Sequence, residues 1–336
     1  MKKYNVAVVG AMGAVGQQMI KILEKRSFPV NELIPLDVAE NVSKEILFNG
    51  KTLKVKEAKA GAFKDADIAL FSAGADASLE LAPIAVSEGC KVVDNSSAWR
   101  LDDNVPLVIP EVNPEALRNN KGIIANPNCT TIQMLVALKP LHDLYTIKRI
   151  VVSTYQAVSG SGQRAIEELK NQGKQFAKGE EITYNVYPHQ ILFNAIPHVD
   201  VFLDNGYTKE EMKMINETHK ILDPSIKVCP TTVRIAVFRG HSESVNIETE
   251  KPIDIAEVKE VLSKAKGVVL VDNPQENLYP MAINCEGRDE VFVGRIRRDE
   301  TVENGLNMWV VADNLLKGAA LNTVQIAEKM IEMDLI

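Results

Sequence analysis

Short apolar runs alternate with helix-like segments over the first 130 residues of the chain. The runs YNVAVVG, ELIPLDV, DADIALFSAG and GCKVVDNSS each combine a few apolar residues with a small or polar end. Such runs are typical of strands that are buried on both faces of a parallel sheet. Between them, AMGAVGQQMIKILEKR and SLELAPIAVSEG have the spacing of helices. We therefore predict a doubly wound parallel sheet of the α/β class, and we expect PLVIPEVN and KGIIANPN to extend the strand pattern to about residue 130.

The pattern changes after this point. β-Branched and polar residues alternate in three later segments, as is typical of an antiparallel or mixed sheet: 148–160, 227–250 and 290–299. Segments 210–222 and 255–266 have helical spacing and are expected to pack on that sheet. The tail, 306–333, is predicted to be largely one long helix. The chain is thus expected to form two closely packed domains.

The composition is that of an ordinary globular protein, with 46% hydrophobic and 25% charged residues among 336. The net charge is −7, and the sequence has no Lys/Arg cluster that would favour nucleic acid or a membrane surface as a partner. The four cysteines are far apart, so they fit neither a zinc site nor a disulfide framework. The first apolar run is too short for a signal peptide or a membrane span. We therefore expect a cytoplasmic protein without a bound metal, whose partners are small molecules.

A glycine-rich turn follows the first predicted strand. Gly10, Gly13 and Gly16 form a G-x-x-G-x-x-G pattern that opens a predicted helix. Glycine lets the backbone turn tightly and approach a pyrophosphate at the helix N-terminus. The spacing departs from the common G-x-G-x-x-G, and the alternative is a tight turn that binds no ligand. The position between a strand and a helix favours dinucleotide binding.

Acidic residues at the end of the second predicted strand bear on the choice of dinucleotide. Asp37 lies close to where an acidic residue binds the ribose 2′-OH in such domains. Asp37 and Glu40 would both repel a 2′-phosphate, and only Lys44 nearby could offset them. The residues alone therefore favour NAD. The alternative is that the two acids are solvated loop charges.

A lone cysteine stands in NPNCTT, directly before the helix-like segment IQMLVALKPLHDLY. Cys129 is therefore expected at a helix N-terminus, where the macrodipole and the unpaired N–H groups favour a thiolate. The alternative is a small buried cysteine without a chemical role. A thiolate together with a nicotinamide cofactor indicates aldehyde chemistry that passes through a thioester.

The segment RIAVFRGHSES supplies other groups that such a reaction needs, in Arg234, Arg239 and His241. Arg234 alternates with apolar residues that are expected to face a core, so its guanidinium is expected to point the other way and to bind a carboxylate there. His241 would lie on the opposite side of a straight strand from Arg234. A shared site therefore requires the chain to bend at Gly240. The alternative for His241 is a surface or structural role.

Six motifs, in this order, resemble those of one enzyme family: GAMGAVG, NSSAWRLDDNVPLVIPEVNPE, NPNCTT, YQAVSGSGQRAIEEL, EEMKM and RIAVFRGHSE. Over essentially its whole length the chain is similar to the aspartate-β-semialdehyde dehydrogenase family. The resemblance implies NADPH-dependent reduction of L-aspartyl 4-phosphate to L-aspartate 4-semialdehyde. This step lies on the shared route to lysine (through diaminopimelate), threonine and methionine.

The resemblance also implies the domain organisation. A Rossmann-type dinucleotide-binding domain, residues 1–130, would be completed by a C-terminal helix at about 307–336. Residues 131–306 would form an α+β catalytic and dimerisation domain with a mixed sheet. The expected assembly is a homodimer, and the alternative is a tetramer.

The resemblance further assigns roles to single residues. Cys129 would carry the acyl group as a thioester, His241 would be the acid/base catalyst, and Gln156 would orient the substrate at the thiol. Substrate-binding residues would be Arg234 for the carboxylate, Glu210 for the amino group, Arg100 and Lys213 for the phosphate, and Asn128. Cofactor-binding residues would be Gly10, Met12, Gly13, Ala14, Val15, Gly16, Asp37, Glu40, Asn41, Ser72, Ser159, Gly160 and Asn314.

Two positions depart from the family pattern. The family usually has an arginine and serines after the second strand, where this chain has Glu40 and Asn41. This reversal of charge bears against the 2′-phosphate of NADP, which is the family's cofactor. NADP remains the expected cofactor, with NAD or dual use as the alternative.

Two other functions remain open. N-Acetyl-γ-glutamyl-phosphate reductase catalyses the same type of reaction on a longer acylated substrate. An aromatic residue usually follows its cysteine, where this chain has Thr130. A non-catalytic relative would be expected to lack the thiol or the histidine. This chain has Cys129, Gln156, Arg234 and His241, so the aspartyl enzyme is the leading prediction.

Overall fold

A computed structural model describes residues 2–336, which form two units. The first unit extends to Asn128 and takes in Ala319–Ile336, and the second unit is Cys129–Gly318. The strands are β1 Tyr4–Val9, β2 Val30–Asp37, β3 Glu45–Phe48, β4 Lys51–Lys54, β5 Lys56–Glu57, β6 Ile68–Phe71, β7 Lys91–Asp94, β8 Ile123–Ala125, β9 Ile147–Gln156, β10 Ala195–Ile196, β11 Lys227–Ile235, β12 His241–Thr249, β13 Val268–Leu270, β14 Val291–Asp299 and β15 Gly305–Ala312. The helices are α1 Ala14–Lys25, α2 Ala75–Ser87, α3 Cys129–Tyr145, α4 Gln163–Lys178, α5 Lys209–Ile221, α6 Ile255–Lys264, α7 Ala282–Cys285 and α8 Leu321–Glu332.

The first unit contains a six-stranded parallel sheet in the order β5-β2-β1-β6-β7-β8. Its inner strands are largely apolar, and every residue of β6 is buried, because helices cover both faces of such a sheet. The strand order reverses direction between β1 and β6, which is where open sheets of this type bind ligands. The predicted doubly wound, Rossmann-type sheet is confirmed.

The C-terminal helix α8 belongs to this first unit. It packs on α1, β6 and β7, and its buried Asn322 ties it to the loops at the ends of the strands. The Nδ2 atom of Asn322 donates to the carbonyl of Val108 and to Oδ1 of Asn126, at 3.1 and 2.7 Å. Because an unpaired buried amide would be costly, these two hydrogen bonds fix the helix against the strand ends.

The prediction that PLVIPEVN forms a strand is wrong. Leu107 forms only an isolated bridge to Ala125, and the segment around it is a loop. Two prolines in the segment have no N–H to donate to a neighbouring strand. Asn113 satisfies the backbone instead, because its side chain accepts from the N–H of Ile109 and donates to the carbonyl of Leu107.

The second unit contains a seven-stranded mixed sheet in the order β10-β11-β9-β12-β15-β14-β13. The β11–β9 and β13–β14 pairs are parallel, and the other neighbours are antiparallel. Helices α3, α5 and α6 pack on the sheet, with α3 in contact with the central strands β9, β12, β15 and β14. The predicted mixed sheet is confirmed.

The prediction of one long helix over 306–333 is also wrong. The segment begins with strand β15, which pairs with β12 and β14, continues through the π-helical turn Leu316–Ala320, and only then enters α8. Trp309, Val310 and Val311 favour a strand, and two neighbouring strands satisfy its backbone. Residues 307–318 therefore lie in the second unit, and the segment that returns to the first unit is shorter than expected.

None of the helices in residues 2–336 combines the length and the apolar character that a bilayer-spanning segment needs.

Candidate active site

Three neighbouring strands of the second unit bring Arg234, Gln156 and His241 into one row. Arg234 on β11 lies opposite Gln156 on β9. The β12–β9 register pairs Ser242 with Tyr155, so His241 lies opposite the other side of Gln156. Side chains that face one another across strands point to the same face of a sheet. All three are buried, at 5%, 1% and 0% exposure.

The orientation expected for Arg234 is reversed in the structure. Arg234 is on the buried face of β11, whereas Val233 and Ile235 are only half-buried on the other face. The guanidinium is accommodated there because its Nη1 donates to the carbonyl of Ala157 at 2.6 Å. Its Nε has no hydrogen-bond partner among residues 2–336, so a donor remains for an anionic ligand.

The bend that a shared site requires is present before His241. β11 ends at Ile235 and β12 begins at His241, and Gly240 between them has φ +91°. This left-handed conformation favours glycine. The N–H of Gly240 donates to Oδ1 of Asn314 at 2.9 Å, and the preceding Arg239 forms an ion pair with the buried Asp313. The chain therefore reverses at a fixed point, which returns His241 to the face that carries Arg234.

The imidazole of His241 is oriented by one backbone hydrogen bond. The N–H of Ala157 donates to Nδ1 at 3.0 Å, so in the neutral ring the proton is on Nε2. Nε2 is buried and has no partner in the described part of the chain. Burial, and then the charge of Arg234, hold the pKa of His241 well below its usual range. His241 is therefore a neutral donor whose N–H is directed into the site.

A glycine turn packs directly against these two groups. Gly160 lies in the 3₁₀ turn Val158–Ser161, and a Cβ at this position would be 2.9 Å from Nη1 of Arg234 and 3.3 Å from Nε2 of His241. Its neighbour Ser159 exchanges hydrogen bonds with Asn314 at 3.0 and 3.2 Å. Ser159, Gly160 and Asn314, which were expected at the cofactor, thus form one wall beside His241.

Charged residues of α5 lie next to Gln156. The Nε2 atom of Gln156 donates to Oε1 of Glu210 at 3.3 Å, and Nζ of Lys213 binds Oε2 of Glu210 at 3.0 Å and Asp200 at 2.8 Å. Burial disfavours charge on Lys213, but Glu210 and Asp200 more than offset this and raise the pKa of its ammonium group. Lys213 therefore remains cationic at neutral pH. Helix α5 is anchored to β11 by the buried Glu211, which accepts from the N–H of Thr232.

The predicted position of Cys129 at a helix N-terminus is confirmed, since it is the first residue of α3. Gln133 is four residues later and therefore on the same side of the helix, and its Nε2 donates to the carbonyl of His241 at 3.3 Å. This contact joins the face of α3 that carries Cys129 to the start of β12. Sequence reasoning missed Gly318, where a Cβ would be 2.8 Å from the Cβ of Cys129.

The glycine turn of the first unit has the form of an anion-binding site. Gly10 has φ +77°, and a Cβ on Gly16 would lie 2.2 Å from the carbonyl oxygen of Gly10. A Cβ on Gly10 would lie 2.6 Å from the carbonyl oxygen of Ser72. Helix α1 starts with no side-chain cap at Gly13 and no acidic residue in its first turn, so its N–H groups suit a pyrophosphate.

Asp37 is part of this turn and not a solvated loop charge. Its buried carboxylate accepts from the N–H groups of Met12 and Val38, both at 2.8 Å, and from Nδ2 of Asn41 at 2.7 Å. The Oδ1 atom of Asn41 in turn accepts from Lys44 at 2.6 Å. Glu40, in contrast, is exposed. The acidic residue that would meet a ribose is therefore held by three protein donors.

Two further predicted residues belong to the first unit. Arg100 is buried, and its Nη2 donates to the carbonyl of Asn95 at 3.0 Å. Asn128 is buried and directly precedes Cys129 in the chain. The described residues contain no cluster of three or more His, Cys, Asp or Glu side chains that could hold a metal ion.

Two family sequence models match most of the chain. The one described as "Semialdehyde dehydrogenase, NAD binding domain" matches residues 5–120, and "Semialdehyde dehydrogenase, dimerisation domain" matches residues 138–317. The aspartate-semialdehyde dehydrogenase of Aquifex aeolicus is 58% identical, with 99% of both chains covered. That of Bacillus subtilis is 50% identical, also over 99% of both.

The solved structures that resemble this chain are also aspartate-semialdehyde dehydrogenases. Aspartate semialdehyde dehydrogenase II from Vibrio cholerae, complexed with ASA, superposes with a TM-score of 0.96 at 48% identity and 99% coverage of both chains. The enzyme of Candida albicans with NADP has a TM-score of 0.78 over 100% of both chains. At 24% identity, the second comparison supports the fold alone.

The contact at Gly318 predicts an effect on reactivity. Gly318→Ala should displace Cys129, and we expect turnover to fall by about tenfold or more, because small errors in the position of a reacting atom are costly. The alkylation rate of Cys129 by iodoacetamide should change with it.

The matched control is Gly173→Ala in α4, where an added Cβ meets nothing within 4 Å. This variant should keep its turnover, because alanine is the better helix former. Wild-type turnover and alkylation in Gly318→Ala would show that the contact does not position Cys129.

Proposed function

The chain belongs to the aspartate-semialdehyde dehydrogenase family, and we propose that it reduces L-aspartyl 4-phosphate to L-aspartate 4-semialdehyde through a thioester on Cys129. One observation supports this most strongly. A cysteine at a helix start is joined, through Gln133, to a buried row of Arg234, Gln156 and His241. A nucleophile, a carboxylate-binding cation and a hydrogen-bond donor are the groups that this reaction needs.

The charges of the second unit suit the two ends of an amino acid. The open Nε donor of Arg234 fits the α-carboxylate, and Glu210 fits the α-ammonium group. Gln156 lies between them and would orient the substrate at Cys129. For the phosphate we propose Lys213, which the two neighbouring carboxylates keep cationic, together with Arg100 and Asn128.

The proposed role of His241 follows from its Nδ1 hydrogen bond. The Cys129 thiolate displaces phosphate from the acyl phosphate, and the thioester carbon then takes up a hydride to give a tetrahedral oxyanion. Expulsion of the thiolate from this oxyanion yields the aldehyde, so the reduction itself requires no net proton, whereas the displaced phosphate takes up one proton to leave as HPO4²⁻. The resemblance implies an acid/base role for His241. In its place we propose that neutral His241 donates through Nε2 and stabilises the oxyanion directly, because protonation of Nδ1 would break the bond from Ala157.

A nicotinamide cofactor would supply the hydride, and the turn Gly10–Gly16 with Met12, Ala14 and Val15 would hold its pyrophosphate. We propose NADP as this cofactor. Lys44, whose hydrogen-bond partner is the neutral Asn41 amide, is the cation at this position that could face a 2′-phosphate. NAD, or use of both, is the second candidate, because Asp37 and the exposed Glu40 are acidic.

Other parts of the proposal come from the family. They are the pathway to lysine, threonine and methionine, the cytoplasmic location, and a homodimer or tetramer, for which the match to a dimerisation-domain model is the support. N-Acetyl-γ-glutamyl-phosphate reductase is less favoured, since the relatives compared are named for the aspartyl substrate. A non-catalytic role conflicts with the complete row beside Cys129.

The proposed reaction is tested in its reverse direction. The protein should reduce NADP when supplied with L-aspartate semialdehyde and phosphate, and the steady rate should collapse without phosphate because the acyl group then stays on the enzyme. Cys129→Ser should lower turnover by about a thousandfold or more while cofactor affinity stays similar. The exposed Cys229 provides the matched control, Cys229→Ser, with unchanged turnover. A rate only with N-acetylglutamate semialdehyde would indicate the rival enzyme.

The cofactor preference is tested at Glu40. Glu40→Arg removes a negative charge and adds a positive one, so it should raise affinity for NADP relative to NAD by about three- to tenfold, measured by fluorescence titration. Glu32→Arg is the control, since exposed Glu32 lies on the same strand about 16 Å before Asp37. If the ratio stays constant in Glu40→Arg, this residue does not face the 2′ position.

A further inference from the structure

Glu243 is a buried carboxyl group that the proposed reaction does not use. It lies on β12, two residues after His241 and on the same face of the strand, and is completely buried. Neither of its carboxyl oxygens has a hydrogen-bond partner in the described chain. An ionised carboxylate in such a place would be strongly destabilising.

The neighbours of Glu243 offer no opposite charge. In the sheet it lies between Thr154 on β9 and Val310 on β15, in the row directly behind the Gln156–His241 row. On the face of the sheet that α3 covers, the side-chain amide of Gln133 lies against the carboxyl group of Glu243. The charged or titratable groups of the adjoining row on this face are Arg234 and His241.

The orientation of the Gln133 amide is fixed by the backbone. One N–H of its Nε2 donates to the carbonyl of His241, which can only accept, so the second N–H and Oε1 of the amide remain for another partner. This Oε1 is buried and has no donor among the residues that the structure describes. The amide can therefore offer the carboxyl group of Glu243 its second N–H or its Oε1, and a protonated Glu243 is the form that can pair with either.

We propose that Glu243 is an uncharged carboxylic acid hydrogen-bonded to the side-chain amide of Gln133, and that this pair positions His241 relative to Cys129. The chain of contacts runs from Glu243 to the Gln133 side chain and on to the carbonyl of His241. Gln133 is one helical turn from Cys129, so the same amide also fixes the face of α3 that carries the nucleophile. The positioning part of this inference rests on the proposed function.

The surroundings of Glu243 are consistent with a neutral acid. Burial raises the pKa of its carboxyl group well above the usual range, against the smaller opposite effect of the Gln133 amide. A neutral acid also places no negative charge behind His241. Such a charge would favour the imidazolium form, whereas the hydrogen bond from Ala157 to Nδ1 requires the neutral ring.

The hydrogen bond is tested by infrared spectroscopy on the folded wild-type protein at neutral pH. A protonated carboxylic acid gives a C=O band that is separate from carboxylate bands, and isotope-labelled glutamate shifts it. We expect this band in the wild type and in Glu248→Gln, and its loss in Glu243→Gln. Glu248 is the matched control because it lies on the same strand and is paired with Lys148. No acid band in the wild type would overturn the proposal.

The positioning role is tested with two variants of different donor capacity. Glu243→Gln keeps an uncharged donor and should retain kcat within about threefold, with an unshifted pH–rate profile. Glu243→Met has no donor and should lower kcat by about 10- to 100-fold with little change in KM. Its thermal midpoint should stay close to wild type, since an apolar side chain suits this buried place.

A double variant shows whether the two residues act together. Glu243→Met combined with Gln133→Met should be no slower than Gln133→Met alone, because both remove one connection. Multiplicative losses, or a tenfold slower Glu243→Gln with a shifted pH profile, would overturn the proposal. If Glu243→Met does not fold, the infrared band of the wild type and the kcat and pH–rate profile of Glu243→Gln still test the proposal. An inactive wild type would contradict the proposed function, whereas the band tests the hydrogen bond without turnover.

Discussion

The register of β11, β9 and β12 is the constraint on which the proposed chemistry depends. It places Arg234, Gln156 and His241 side by side on one buried face. A slip of one residue in any of these strands would turn its member of the row to the other face. Apolar residues further along the strands, such as Val152 and Val245, which also face each other, hold the register because a slip would expose them.

The site then depends on keeping its buried groups uncharged where no partner exists. His241 is neutral because burial and Arg234 disfavour a second positive charge. Glu243, one row behind it, has no cation beside it and is best accommodated as an acid. The charged groups of the site have partners in the chain: Arg234 donates to a backbone carbonyl, and Glu210 pairs with Lys213. A thiolate at the start of α3 would therefore meet a donor and a cation, with no competing base.

The sequence predicted those elements whose local chemistry is unambiguous. The glycine turn, the short parallel strands and the helix start at Cys129 all follow from spacing and turn residues. The tail at 306–333 was misread because its apolar run suits a strand or a buried helix equally, and only the pairing of β15 with two neighbours decides. Gly318, Gln133 and Glu243 could not be found, because their roles arise from contacts between residues far apart in the chain. A common residue type in an ordinary helix or strand gives no local signal of such a contact.

Direct detection of the acyl group on Cys129 tests the central claim most closely. The protein would be mixed with L-aspartate semialdehyde and NADP without phosphate, quenched in acid, digested and mapped by mass spectrometry, while the reduced cofactor is counted. The account predicts a burst of about one reduced cofactor per active site, with the aspartyl group on the peptide that contains Cys129 and its release on adding phosphate. A burst without this adduct, or an adduct on another cysteine, would contradict it.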